Sequence, residues 1–139
     1  MTIRKSIWLG RPPEFSFRVF CEDISNWWPR GFVDGSKLFL DCRVGGRFFE
    51  RRPGGDEYEI GRVTAYKPPS IVAFTWRAPS WNRATQVEIR FSPERDGTRV
   101  ELEHSGWEQD PQVTEYHKNY DSGWEAILGH YQTAAEHTA

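Results

Sequence analysis

The strongest constraint on the fold is an imbalance between sheet and helix. Between Leu38 and Ser105 the chain alternates between strand-forming runs and tight turns, and only one later segment is a helix long enough to cover the resulting sheet. The clearest alternation is at the end of this stretch. Thr85, Val87, Ile89 and Phe91 fall on one face with Gln86, Glu88 and Arg90 on the other. Val100, Leu102 and His104 then oppose Arg99, Glu101 and Glu103. Strands with one wet face belong to an antiparallel sheet that buries its other face.

Earlier strands are expected over Leu38–Cys42, Arg47–Arg52, Glu57–Tyr66 and Ile71–Arg77. Gly45-Gly46 permits a sharp bend or bulge before Phe48. Pro53 to Asp56 and Lys67 to Ser70 carry strong turn chemistry. At the N-terminus, Ile3, Ile7 and Leu9 share a strand face, with Lys5 as the flaw. Phe17, Phe20, Ile24 and Trp27 follow at helical spacing, predicting two short helices, the second capped by Asp23 or Ser25. After Asp110, a good N-cap, and Pro111, a good first helical residue, Val113, Tyr116, Tyr120, Trp124, Ile127 and Tyr131 form one long apolar stripe. Gly123 within it costs about 1 kcal/mol against Ala, so it is expected to allow a close approach or to leave room for a ligand. The predicted fold is a single α+β helix-grip domain over residues 1–139. About seven antiparallel strands curve around a long C-terminal helix, with two short helices after the first strand.

Large rings dominate the apolar content: seven Trp, nine Phe and five Tyr. Rings bury much area and leave irregular gaps, which suits a pocket between sheet and helix as well as an ordinary core. The net charge of −2 gives no footprint for nucleic acid. No apolar run is long enough for membrane insertion. Cys21 and Cys42 form neither a CxxC pair nor a disulfide framework, which points to a reducing cytoplasm. The four histidines lack metal-ligand spacing, and Gly45-Gly46 lacks the lysine of a phosphate loop, so neither a metal nor a cofactor is expected.

Several motifs carry a family likeness. Ile24 to Pro29 (ISNWWP), Arg43 to Glu50 (RVGGRFFE), Gly61 to Pro69 (GRVTAYKPP) with Val72 to Trp76 (VAFTW), Gly97 to Trp107 (GTRVELEHSGW) and the Gly123-Trp124 pair occur in order along nearly the whole chain. In this they resemble proteins similar to the activator of the heat-shock protein 90 ATPase, within the START-like (SRPBCC) superfamily. The resemblance implies the helix-grip fold and a cavity for hydrophobic ligands. Its relatives include carriers, polyketide cyclases and co-chaperone domains.

Parity places Glu50 on the side of Phe48, and His104 on the side of Val100 and Leu102. Both then face inward, either as a satisfied structural network or as groups that orient a ligand. The expected cavity residues are Phe48, Glu50, Phe74, Trp76, Trp81, Leu102, His104, Trp107, Tyr116, Tyr120 and Trp124. The preferred reading is a binder of a small hydrophobic or aromatic molecule. The alternatives are a cyclase- or hydrolase-type enzyme using Glu50 and His104, and a protein-interaction domain of the co-chaperone kind. A homodimer is compatible with each.

Overall fold

A computed structural model describes all residues, 1–139. The elements run β1 (Ile3–Leu9), α1 (Pro13–Glu22), α2 (Ile24–Trp27), β2 (Lys37–Leu40), β3 (Arg47–Arg51), β4 (Glu57–Lys67), β5 (Ile71–Trp76), β6 (Thr85–Glu94) and β7 (Gly97–Ser105). A 3₁₀ turn (Trp107–Gln109), α3 (Pro111–Thr114) and α4 (His117–His137) complete the chain. The seven strands form one sheet in the order β1-β7-β6-β5-β4-β3-β2, and every neighbouring pair is antiparallel. This is the α+β helix grip: β2 to β7 form a meander, and β1 joins its far edge beside β7.

Two irregularities in strand pairing curve the sheet. The pairing register shifts between Phe48 and Phe49, where Ile60 of β4 is the unmatched residue, and again between Val63 and Ala65. Bulges of this kind bend a strand and raise its twist. Gly45-Gly46 is instead the tight turn that leads into β3, with Gly45 at φ +82°. A Cβ on Gly46 would stand 2.1 Å from the Asp41 carbonyl oxygen and 2.9 Å from that of Arg43, both backbone atoms with no freedom to yield. Gly55 has open space around it but sits at φ +97°. Gly55→Val should therefore cost about 1–2 kcal/mol of backbone strain, and Gly46→Val distinctly more. Equal melting temperatures for the two variants would contradict this packing.

The helical segments differ in detail from expectation. Neither Asp23 nor Ser25 caps α2 by a side-chain hydrogen bond. Asp110 does cap α3, accepting the Gln112 N–H at 2.9 Å. The stripe expected as one helix from Pro111 is divided. Buried Val113 and the Thr114 hydroxyl, bonded back to the Trp107 carbonyl, fasten α3 to the preceding turn. The chain then restarts as α4, which spans about 30 Å at 1.5 Å per residue. Trp124, Leu128, Tyr131 and Ala135 are its buried face. Leu128 and Ala135 replace Tyr116 on the expected stripe, and Tyr116 is exposed.

Lys5, the flaw in β1, lies on a side that meets α4. Its stem is largely covered, and its ammonium reaches Asp121 at 3.3 Å and Glu125 at 2.8 Å. Long basic side chains commonly cover apolar surface in this way while keeping the charge in water.

Candidate functional site

The space inside the grip is filled by rings. Trp28 stacks on Trp76 with centroids 6.0 Å apart, and Trp124 meets Trp76 edge-on at 5.7 Å. Phe48 and Phe74 are 4.8 Å apart, and His104 and Trp107 are 4.4 Å apart. Phe48, Phe74, Leu102, Trp107 and Trp124 are essentially without solvent contact. These five expected cavity residues are core.

His104, also wholly buried, belongs to a directional hydrogen-bond chain. The Trp124 indole N–H donates to His104 Nδ1 at 2.9 Å. That nitrogen must be the unprotonated one, since an indole N–H only donates. Nε2 therefore carries the proton and faces Thr85 Oγ1 at 2.6 Å, and the Thr85 hydroxyl donates to the Trp76 carbonyl at 3.0 Å. Burial, with a smaller contribution from His117, pushes the His104 imidazole down to about 3. The ring is neutral, both nitrogens are engaged, and the chain links β5, β6, β7 and α4.

Glu50 is also wholly buried but occupied elsewhere. One oxygen accepts the Phe32 backbone N–H at 2.6 Å, and the other takes the Arg52 guanidinium at 2.8 Å. The connector between α2 and β2 passes directly over the carboxylate: a Cβ on Gly31 would lie 2.2 Å from it. Glu50 thus holds down this connector, and no hydrogen bond joins it to His104.

The open space lies at one end of the grip, where the Phe32 connector and the Ala78–Trp81 loop face α4. A groove of about 510 Å³ is lined by Phe32, Ala78, Pro79, Trp81, Tyr116, Asn119, Tyr120, Gly123 and Ile127. A smaller hollow of about 160 Å³ adjoins it, with Trp28, Arg30, Gly31, Leu38, Ile60 and Trp76 in its wall. The two share Phe32, Tyr120 and Ile127, so the half-exposed Phe32 ring stands at their partition.

Trp76, Trp81, Tyr116 and Tyr120 are the expected site residues that line these spaces. Phe32, Ile127 and Gly123 line the groove and were absent from the expected set. Phe32 carried the same signal as Trp81, a bulky ring in a loop. A Cβ on Gly123 would meet nothing within 4 Å, so this helical glycine leaves room over the groove and mediates no close approach.

Among the groove's polar groups, with Asn119 and Tyr116, Tyr120 is the most deeply set. Its hydroxyl oxygen accepts the Trp76 indole N–H at 2.9 Å, and its own proton is donated to no acceptor in the chain. Burial pushes this phenol up to about 12, so the proton stays in place. A further trough of about 540 Å³ runs between α2 and α4, but apart from Trp27 it is lined by small or polar residues: Asn26, Ala126, Gly129, His130, Thr133 and Ala134.

Comparison with known proteins agrees with this architecture. A protein from Mesorhizobium loti, MLL2253, is 20% identical with a TM-score of 0.78, covering 100% of this chain and 99% of that one. The Aha1 dimer from Colwellia psychrerythraea is 17% identical with a TM-score of 0.73, covering 99% and 97%. CalU16 from Micromonospora echinospora is 22% identical with a TM-score of 0.66, covering 98% and 75%. These likenesses establish the fold. No curated protein matches the sequence, and no helix is long and apolar enough to cross a membrane. The profile of one family does match, over residues 12–135, and the chain belongs to it: the Activator of Hsp90 ATPase homolog 1-like proteins, with the START-like helix grip.

Proposed function

We propose that this protein binds a small, flat hydrophobic or aromatic molecule in the groove between α4, Phe32 and the Ala78–Trp81 loop, with Tyr120 donating a hydrogen bond to an oxygen of the ligand. The observation that carries this reading is the unused Tyr120 proton in an apolar groove beneath the open space at Gly123. Small-molecule sites combine apolar walls with a few placed polar groups, and this groove has that composition. Binding is favoured over catalysis by Glu50 and His104 because each is already engaged by separate protein partners. The two free thiols fit a reducing, cytoplasmic setting. A homodimer is compatible with this site, and a dimeric relative is known.

Titration of polyphenols, aromatic ketones and fatty acids against intrinsic Trp fluorescence tests the reading. A saturable shift is expected from the wild-type protein, with Trp81 and Trp76 as reporters. Gly123→Phe should fill the groove and abolish the shift. Gly123→Ala should preserve it while stabilising the helix by about 1 kcal/mol. Tyr120→Phe should weaken carbonyl-bearing ligands about tenfold, the worth of one hydrogen bond, and leave purely hydrocarbon ligands unaffected. Silence across the whole panel would refute the proposal.

A further inference from the structure

Taking the groove as the ligand site proposed above, we infer that Phe32 sets the length of ligand the site accepts. Its ring closes off a second apolar compartment that could hold the end of a longer molecule. The segment from Pro29 to Ser36 reads PRGFVDGS and has neither strand nor helical period. A bulky ring there has no sheet or helix face to fill, and Phe32 is 39% exposed. It is nevertheless held in one place.

The main chain is anchored on both sides of the ring. Glu50 accepts the Phe32 backbone N–H at 2.6 Å, and Gly31 passes so close to that carboxylate that no Cβ fits there. The Ser36 N–H donates to the Val33 carbonyl at 3.1 Å, closing the connector into a turn. Gly35, at φ +83°, lies against the Pro53 ring, where a Cβ would stand 3.0 Å from Pro53. The Phe32 ring meets Trp76 at 5.7 Å and Tyr58 edge-on at 6.0 Å. Both neighbours are themselves tied. The Tyr58 hydroxyl donates to the Arg77 carbonyl, and the Trp76 indole N–H donates to the Tyr120 oxygen. The connector has no slack, and the ring is braced by two others.

On one side of Phe32 lies the groove of about 510 Å³, and on the other the hollow of about 160 Å³. Trp28, Leu38, Ile60 and Trp76 give the hollow an apolar wall. Tyr120 lines both spaces, so a ligand oxygen bonded to its hydroxyl sits beside the partition. One end of the ligand then fills the groove while the other meets Phe32. Each methylene buried against an apolar wall is worth about fourfold in affinity. The wild-type protein forgoes that gain in the hollow and so favours short ligands.

The test is a series of straight-chain alkyl phenyl ketones, starting at acetophenone, titrated by calorimetry into the wild-type protein, Phe32→Ala and Phe32→Leu. Wild-type affinity should climb about fourfold per added carbon and level off once the groove is full. Phe32→Ala should bind the shortest ketones more weakly, having lost one wall, and keep climbing beyond the wild-type plateau. The two proteins therefore exchange preference along the series, which a loss of stability alone would not produce. Phe32→Leu keeps a smaller stop and should level off between them, so the inference stays testable should Phe32→Ala not fold. The methyl resonances of Leu38 and Ile60 should move with long ketones in Phe32→Ala and stay in place in the wild type. A plateau at the same chain length in every folded protein, or Leu38 and Ile60 shifts in the wild type, would overturn the role of Phe32 and leave the groove a ligand site. Failure of every ketone to bind any of the three proteins would overturn both.

Discussion

Lowering the pH from about 7 to about 4 is expected to cost the protein about 3 kcal/mol of stability through His104 alone. The imidazole is held neutral at about 3 in the fold, against about 6.5 when exposed, and burial is the main cause. In that interval the unfolded chain binds a proton that the folded chain refuses. The contribution is fully present above about pH 6.5 and declines steadily toward about pH 3, where it levels off. His104→Gln offers the nearest replacement, since its amide can accept from Trp124 and donate to Thr85. That variant should start less stable at neutral pH but lose less between pH 6 and 4. Urea unfolding of both proteins across this range measures the difference. Parallel profiles would show that His104 is not a neutral link in the chain from Trp124 to Thr85.

Glu50→Ala is expected to lower stability by about 2–4 kcal/mol, because truncating one member of a buried ion pair leaves its partners without compensation. Arg52 is 27% exposed, so water recovers part of its charge and the lower end of the range applies. The Phe32 N–H has no such relief. Its release should free the connector, and amide exchange over residues 30–36 should accelerate more than exchange in β6 and β7. Glu50→Gln retains an acceptor for Phe32 and should sit between the two. A uniform rise in exchange would mean that Glu50 supports the fold at large, with no particular hold on the connector.

Much of this architecture was legible in the residues. Val87, Ile89, Val100 and Leu102 alternate so regularly that β6 and β7 have one possible inward face, and their register across the sheet follows. Asp110 and Pro111 marked a helix start in the same way. Parity also placed Glu50 and His104 inside, since a slip of one residue would have turned them outward.

Periodicity reports which face a ring takes, but it does not report whether facing rings leave space between them. Trp28, Trp76 and Trp124 meet in the middle of the grip and fill it, so the open volume moves to the end near Trp81. Phe32 was passed over because its segment has no period, and Gly123 had two readings that only the surrounding space could separate.

The most direct test of the ligand-binding reading is to follow backbone amide and Trp indole N–H resonances while a planar aromatic ketone, such as a flavone, is titrated in. The groove predicts saturable shifts at Phe32, Gly123 and the Trp81 indole, with the buried Trp107 indole little changed. Shifts centred on Gly129 and His130 in the trough between α2 and α4, or no saturable shift at any resonance, would contradict it.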